Sequence, residues 1–347
     1  MTATQSPVER LEAHLGQSWE VLRAARERTR SQMSRLREVL SKPDPIDSSD
    51  RSVIAFGSIA REEATDESDL DWTLLIDGQV DPSHLPTTQE IADRLANARF
   101  KHPNRVGAFG SMAFSHTLVH NIGGEDDTNR NLTRRMLLLL ESASVGSDAQ
   151  AYDRVITGVL HRYLDEDAGL AQIGVKPVVP RFFLNDVARF WRTMAVDFAM
   201  KQRERRGQGW GLRNVKLRFA RKLIFSKGLL MGYSSALTPT EDPGALHRRL
   251  QQLVRMTPLD VLADVVLSHG SESDIGGEIF DTYDRYLGVV SDSPKRAELE
   301  KLRPADAGSS SLFQEVRTLS HSFQDALNRL FFDHPRIGKL TKEYGVF

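Results

Sequence analysis

Residues 54–72 read IAFGSIAREEATDESDLDW, and this stretch decides the fold. Residues 52–56 and 70–76 are short, apolar and partly β-branched, which is typical of buried strands. A glycine and a serine follow the first of these segments, and two aspartates stand at the start of the second. The sequence therefore predicts two strands with small or acidic residues where the first ends and the second begins.

Asp69 and Asp71 flank Leu70 at the start of the second predicted strand. Residues i and i+2 of a strand share a face, so both carboxylates point to one side while Leu70 turns into the core. Two charges about 4 Å apart repel by roughly 4 kcal/mol at an effective dielectric of about 20, so such a pair shares a proton or holds a cation. Oxygen ligands alone favour Mg²⁺ or Mn²⁺.

Gly57 and Ser58 stand where the first predicted strand ends. A glycine lets the backbone approach a phosphate because no side chain stands between them. A turn leading into residues 59–63 would also direct amide hydrogens and a helix N-terminus at an anion. The two halves of the motif therefore predict a metal ion and a phosphate bound side by side.

The pattern G-S-x10-D-x-D resembles the signature of the DNA polymerase β-like nucleotidyltransferase superfamily, and the likeness covers roughly residues 50–130. The segment GSIAREEATDESDLDW is especially similar to the bacterial branch that includes minimal nucleotidyltransferases and their larger relatives. The resemblance implies that Gly57 and Ser58 contact the nucleotide phosphates and that Asp69 and Asp71 are metal ligands. We add Arg61, in the same segment, to the predicted nucleotide contacts.

The superfamily also has a third carboxylate, usually on a later strand, which acts on the attacking hydroxyl. Residues 105–124 contain no acidic residue, and Glu125, Asp126 and Asp127 come next. Glycines before this triplet would let the chain bend toward the metal ions. We favour Asp127 as the third catalytic and metal-binding residue, with Asp126 second, and the alternative is a solvated loop. Without a third acid the enzyme would use two carboxylates or be inactive.

Apolar residues recur at steps of three and four over residues 7–41, which predicts one long amphipathic helix that ends before two prolines. Residues 89–98 predict a further helix and residues 105–109 a weaker third strand. From residue 131 onward the pattern is helical, with helices predicted over 131–142, 149–164, 181–206, 212–230, 243–255, 259–268, 278–290 and 312–332.

Together with the resemblance, this pattern predicts an α+β protein of the NTase fold. Its mixed-sheet core would carry a long N-terminal spine helix and be followed by a C-terminal α-helical domain. We place the nucleotidyltransferase core at residues 1–145 and the helical domain at residues 146–347.

Residues 201–227 hold ten Lys and Arg and one Glu, a charge of +9 on a chain whose net charge is -1. Such a basic segment suits a polyanion, either a triphosphate or a nucleic acid backbone, and a solvated helix face is the alternative. Lys216 falls on the edge of the apolar face of the predicted helix 212–230, whereas Arg218 lies opposite and should be solvated. In two-domain relatives a lysine of the helical half holds the triphosphate, so resemblance and position together assign Lys216, with Arg213 second.

The composition, 40% hydrophobic and 27% charged residues, is that of a globular protein. The sequence has no cysteine, which excludes disulfides, cysteine-zinc sites and thiol nucleophiles. The longest nearly unbroken apolar run, residues 136–140, is far shorter than the roughly 20 residues of a membrane helix. We therefore expect a cytoplasmic protein with no signal and no membrane segment.

The expected layout resembles the cGAS/DncV-like and oligoadenylate-synthase-like enzymes. The resemblance implies in-line attack of a hydroxyl on the α-phosphate of an NTP or dNTP, with release of pyrophosphate and participation of Mg²⁺ or Mn²⁺. An acceptor nucleotide or oligonucleotide would give a second messenger or short oligonucleotide in antiphage defence, as in CD-NTases or Hailong-type enzymes. Transfer to tRNA or to a partner protein, as in toxin and antitoxin systems, is the second hypothesis. A non-catalytic nucleotide-binding module is the third, and the intact motif argues against it.

Overall fold

The computed structural model describes residues 5–103, 109–146, 148–171, 179–239, 242–269 and 273–345. The chain divides into two compact units. The first, which we call the sheet unit, consists of Ala25–Pro177 and Asp242–Thr257. The second, the helical unit, consists of Met1–Ala24, Val178–Glu241 and Pro258–Phe347.

The strands and helices alternate in the first part of the chain, and only helices follow β4 in the part that the structure describes. The strands are β1 Arg51–Phe56, β2 Asp71–Ile76, β3 Ser111–Phe114 and β4 Ser142–Ser144. The helices are α1 Pro7–Leu15, α2 Glu20–Ser41, α3 Gly57–Ala60, α4 His84–Asn97, α5 Ser115–Val119, α6 Asn129–Leu140, α7 Gln150–Ala171, α8 Arg181–Glu204, α9 Trp210–Lys216, α10 Lys222–Leu237, α11 Pro243–Arg255, α12 Pro258–His269, α13 Ser273–Ser291, α14 Ser293–Lys301, α15 Ser311–Asn328 and α16 Ile337–Leu340. Leu217–Arg221, Arg329–Asp333 and Thr341–Gly345 are π-helical, and Pro304–Asp306 is a 3-10 turn.

The four strands form one mixed sheet in the order β3-β2-β1-β4. Strand β1 is antiparallel to β2 and to β4, whereas β2 and β3 are parallel. The structure therefore confirms the predicted α+β class with a mixed sheet and many helices. The third strand, expected at residues 105–109, lies at Ser111–Phe114 instead, and residues 104–108 fall outside the described part of the chain.

Helices cover both faces of the sheet, which explains why β1 and β2 are almost continuously apolar instead of alternating. On one face Val53 packs in a cluster with Leu36 of α2. On the other face Ile54 borders Leu118 of α5 and Leu137 of α6. Asp71 thus begins a strand that is packed on both faces, and Asp69 lies two residues before it.

The predicted single helix over residues 7–41 is interrupted, and this prediction is corrected here. Helix α1 ends at Gly16, whose φ of 64° is left-handed, and the Gly16 N–H donates to the carbonyl of Glu12. The indole of Trp19 is buried, stacks on Phe280 and donates from Nε1 to Asp281 Oδ1 at 2.6 Å. The chain leaves the helix because a tertiary pocket for Trp19 outweighs helical continuity.

The predicted domain boundary at residues 145 and 146 does not coincide with the division into compact units. Helix α7 contacts β1, and α11 contacts α6, α7 and β4. Helices that follow residue 146 therefore belong to the sheet unit. None of the helices in the described part of the chain is long and apolar enough to cross a membrane.

Candidate active site

The end of β1 and the start of β2 lie side by side because the two strands are antiparallel neighbours. Phe56, the last residue of β1, pairs with Asp71, the first residue of β2. Gly57 and Ser58 follow Phe56 directly and form the first turn of α3. The strand register thus brings the two halves of the G-S-x10-D-x-D motif together at one end of the two central strands.

Gly57 has a φ of +69° and packs against the carboxylate of Asp71. A Cβ atom placed on Gly57 would stand 3.0 Å from Asp71 Oδ2, which is closer than ordinary van der Waals contact. The absence of a side chain is therefore required twice, once by the left-handed backbone and once by the close approach to Asp71. This contact brings the backbone of Gly57 and the Asp71 carboxylate together at one corner of the motif.

The residues at the start of β2 differ in burial. Leu70 is 3% exposed within the sheet core, and its N–H donates to the carbonyl of Lys101 at 2.9 Å. Asp69 is exposed and Asp71 is partly exposed. Both carboxylates can therefore meet a ligand that approaches from solvent.

The loop between the two strands is held by α2, through two polar residues that interrupt its apolar stripe. The hydroxyl of Thr29, 1% exposed, accepts the Ala64 N–H at 2.9 Å. Arg26, 5% exposed, donates to Thr257 Oγ1 at 3.2 Å and lies 3.8 Å from Glu62 Oε2. The sequence analysis did not predict these positioning residues. The signal that could have identified them is that both are polar residues on the apolar stripe of the helix, where a polar side chain needs a partner.

Arg61 is a structural residue of the motif and not an available phosphate contact, which corrects the prediction. Its side chain is 8% exposed and forms ion pairs with Glu63, at 2.8 Å, and with Glu141. Both carboxylates are buried as well. A guanidinium that is fixed between two buried carboxylates serves to tie α3 to the end of α6, and removing it would leave unpaired buried charges.

Asp127 is engaged elsewhere than in a metal site. Its two carboxylate oxygens accept hydrogen bonds from Arg135 Nη1 at 3.0 Å and Nη2 at 2.8 Å. The side chains of Arg135 and Asp127 are 0% and 2% exposed, and Arg135 Nε donates to the hydroxyl of Tyr163 at 2.7 Å. The carboxylate thus neutralises a buried arginine of α6, just before the N-cap residue Thr128.

Among the described residues, no group of three or more His, Asp or Glu side chains could hold a metal ion. Asp127 therefore does not complete a three-carboxylate cluster with Asp69 and Asp71, which differs from the sequence-based expectation. Its neighbours Glu125 and Asp126 are exposed. Strand β3, which lies beside β2, carries Ser111–Phe114 and no acid. The metal-ligand roles of Asp69, just before β2, and Asp71, its first residue, stay predictions.

The predicted triphosphate contacts lie in the helical unit, where α9, the π turn and α10 follow one another without a break. Lys216 is partly exposed. Arg213 donates from Nη2 to the carbonyl of Gln208 at 2.9 Å, and its buried Nε and Nη1 have no hydrogen-bond partner among the described residues. Burial and the nearby Arg205 lower the pKa of Arg213. The roles of Lys216 and Arg213 stay predictions.

Arg218 was expected to be solvated on the opposite face, and this is wrong. Its guanidinium is partly buried, with Nε donating to Asn214 Oδ1 at 2.7 Å and Nη1 to Ser320 Oγ at 3.3 Å. The π turn over Leu217–Arg221 changes the rotation per residue, so an ideal helical wheel misplaces the residues within it. Burial, and then Arg218, lower the pKa of the following Lys222 to about 8.

Residues 4–101 match the model of a family described as "Putative nucleotidyltransferase DUF294". The matched segment includes Gly57, Ser58, Asp69 and Asp71 and ends before Asp127. No curated protein matches the sequence significantly. The family match and the geometry at the ends of β1 and β2 support a nucleotidyltransferase-superfamily domain in the first part of the chain.

Proposed function

We propose that this chain is a metal-dependent enzyme that transfers a nucleoside monophosphate from an NTP or dNTP to a hydroxyl acceptor. The hydroxyl oxygen bonds to the α-phosphorus, the bond from that phosphorus to the bridging oxygen breaks, and pyrophosphate leaves while the hydroxyl proton passes to solvent. The observation that carries this proposal is the contact of the Gly57 backbone with the Asp71 carboxylate, at the paired ends of β1 and β2.

The residues at this corner fit a hard divalent cation. Asp69 is exposed and Asp71 is partly exposed, and the missing Cβ of Gly57 lets its backbone lie beside the Asp71 carboxylate. Mg²⁺ is commonly held by one or two carboxylates together with substrate phosphates, so a two-carboxylate set suffices for binding. Mn²⁺ would use the same oxygen ligands. When bound, the metal would stabilise the charge on the attacking and leaving oxygens.

The chain's own residues would orient the nucleotide. The Gly57 backbone and the Ser58 hydroxyl would contact the phosphates, and Asp69 and Asp71 would hold the cation. By the resemblance, Lys216, with Arg213 second, would hold the β- and γ-phosphates. The buried nitrogens of Arg213 that lack a described partner support this assignment, because such groups gain free energy by finding an acceptor.

The acceptor is a nucleotide or oligonucleotide in our proposal, and the product is a second messenger or short oligonucleotide of an antiphage pathway. The support is the resemblance of the motif to that branch of the superfamily. Transfer to tRNA or to a partner protein is the alternative acceptor class, and the +9 charge of residues 201–227 is its support.

The test is to incubate the purified protein with each labelled NTP and dNTP, with and without tRNA and with Mg²⁺ or Mn²⁺, and to identify the products by mass spectrometry. We expect pyrophosphate and a nucleotidylated product, and we expect Asp69→Asn and Asp71→Asn to lower the rate by about 10² to 10³ or more. Asp66→Asn is the matched control, since Asp66 lies in the same loop, its side chain is 83% exposed, and it pairs with Arg28 in a 3.4 Å surface contact. Equal losses in all three variants would contradict the site.

A second candidate is a nucleotide-binding module without catalysis. It is favoured by one observation, the absence of a three-ligand metal cluster among the described residues. Binding of an NTP that depends on Asp71, with no turnover for any nucleotide or acceptor, would support this module over the transferase.

A further inference from the structure

A cavity of about 490 Å³ lies in the sheet unit along the edge of β4 that β1 does not occupy, and we call it the β4-edge cavity. Its walls come from α2, the C-terminal end of α3, β4 and the first turn of α7. None of the four motif residues proposed for nucleotidyl transfer lines it. Its volume is in the range of small-molecule sites, so it is a candidate for a ligand other than the proposed donor nucleotide.

Strand β4 presents open backbone groups to this cavity. The Val145 N–H donates to the carbonyl of Val53 at 2.9 Å. Because bonded positions alternate in an antiparallel pair, the N–H and C=O of Ser144 point away from β1. Neither group bonds to any residue that the structure describes. Ser144 therefore offers one donor and one acceptor side by side at the cavity wall.

The side chains beside the Ser144 backbone offer no further polar contact. The Oγ of Ser144 is buried and shielded from solvent, although the residue lines the cavity. The neighbouring hydroxyls of Ser142 and Tyr152 bond to each other at 2.8 Å and are thus already satisfied. The backbone N–H and C=O of Ser144 are therefore the polar groups that this part of the cavity wall offers to a ligand.

Arginines form the rim of the β4-edge cavity. Arg30 lies 3.7 Å from Glu62, and Arg255 pairs with Asp153 at 2.8 Å. Arg37 instead donates from Nε to the carbonyl of Val145 at 3.1 Å, and no described carboxylate pairs with it. The three arginines and two acids give the lining a charge of +1, and Arg37 is the cation that remains for an anionic ligand.

We propose that the β4-edge cavity binds a nucleoside monophosphate, with its base against Ser144 and its phosphate at Arg37. The adjacent N–H and C=O of Ser144 match a ring that carries an acceptor next to an amino donor, which is the pattern of an adenine edge. Buried apolar groups such as Ile59, 4% exposed, provide a surface for the ring. The Arg37 guanidinium supplies charge-assisted hydrogen bonds to the phosphate. This inference is independent of the proposed transfer reaction.

The test is titration calorimetry of the full-length protein with AMP in the presence of EDTA, which suppresses metal-dependent binding at the motif. We expect saturable binding of AMP, and weaker binding of adenosine and of inorganic phosphate, since each lacks half of the contacts. Arg37→Gln should weaken AMP binding by about 10-fold or more, as should Ser144→Pro, which removes the backbone N–H that points away from β1 and is compatible with an edge strand.

Arg35→Gln is the matched control, because Arg35 lies on α2 but contacts Ala98 and the ring of Phe100 instead of the cavity. It should bind AMP as the wild type does, and so should Asp71→Asn. Circular dichroism verifies that each variant is folded. The proposal is overturned if the wild type shows no binding at millimolar AMP, if Arg37→Gln and Ser144→Pro bind normally, or if Asp71→Asn abolishes binding. The last result would place AMP at the motif and leave the transfer reaction standing.

Discussion

At the scale of single residues, Gly57 decides whether the motif can form. Its φ of +69° and the 3.0 Å separation between its notional Cβ and Asp71 Oδ2 are two separate constraints. A left-handed backbone costs a residue other than glycine about 1–2 kcal/mol. A methyl group at this position would also press against the Asp71 carboxylate, which is proposed to hold the cation.

We predict that Gly57→Ala lowers nucleotide-dependent activity by tenfold or more while the protein stays folded. The added methyl group displaces the Asp71 carboxylate. If this displacement weakens the binding of the cation and nucleotide by about 1.4 kcal/mol, their affinity falls by a factor of ten. Turnover and the free energy of unfolding in urea are measured on the same preparation.

Gly123→Ala separates backbone strain from the contact with Asp71. Gly123 belongs to the same unit, has a φ of +73° and has nothing within 4 Å of its notional Cβ. Both variants should lose about 1–2 kcal/mol of stability. Only Gly57→Ala should lose activity, and similar activity in the two variants would show that the corner at Asp71 is not the reactive site.

At the scale of elements, the loop before α6 provides a charge partner for that helix. Arg135 is completely buried, and Asp127 is its bidentate partner at 2.8 and 3.0 Å. Arg135 also lies with its guanidinium carbon 5.8 Å from the ring centre of Tyr163 on α7. Asp127, whose side chain is buried, therefore stabilises the packing of α6 against α7.

We predict that Asp127→Ala destabilises the protein by about 3–5 kcal/mol, because it leaves Arg135 buried without its counter-charge. Urea denaturation followed by circular dichroism measures the loss. At temperatures where the variant is folded, its NTP turnover should be close to that of the wild type.

Glu125→Ala is the control for this element, since Glu125 is exposed in the same loop. It should change neither stability nor turnover. If Asp127→Ala kept its stability and lost turnover, the third-carboxylate role expected from the sequence would be right and the structural role wrong.

At the scale of the whole molecule, Asp47 makes the stability depend on pH. Its Oδ1 accepts the Val53 N–H at 2.8 Å, and its buried Oδ2 has no partner among the described residues. Burial is the main cause that raises the pKa of Asp47 from 3.8 to about 6, with a smaller contribution from Asp148. The folded state thus binds this proton more tightly than the unfolded state, so its contribution to stability is present below about pH 4 and is lost as pH rises through about 6.

We predict that Asp47→Asn raises the free energy of unfolding at neutral pH by about 1–3 kcal/mol and has little effect below about pH 4. The amide keeps the oxygen that accepts the Val53 N–H and avoids burying a charge. Urea denaturation at several pH values gives the difference between variant and wild type.

Asp50→Asn is the comparison of opposite sign, because the hydrogen bond from Ser48 lowers the pKa of Asp50. That variant should not gain stability at neutral pH. A gain for Asp50→Asn equal to that for Asp47→Asn would show that net charge, and not the burial of Asp47, sets the effect.

Local patterns in the sequence determined much of this protein. The two apolar segments around the motif predicted β1 and β2, and residues 243–255 were predicted as the helix that the structure shows as α11. Such features depend on residues close in the chain, so their periodicity and their Gly and Pro positions are sufficient. Helix α14 was missed although Asp292 caps it and Pro294 lies in its first turn. Its mixed polar surface lacks the apolar stripe on which the other predictions depended.

Tertiary structure alone decided which polar residues are free to act. Arg61 meets Glu141, 80 positions away, and becomes structural. Asp127 meets a buried arginine, and Trp19 meets Phe280 in the pocket that interrupts the first helix. A motif specifies residue types and their spacing. A charged side chain in a protein interior needs a partner that offsets its desolvation cost, and the packing of distant segments decides which residue that partner is. The sequence therefore predicted the corner of Gly57 and Asp71, whereas packing determined which neighbouring charges remain available to it.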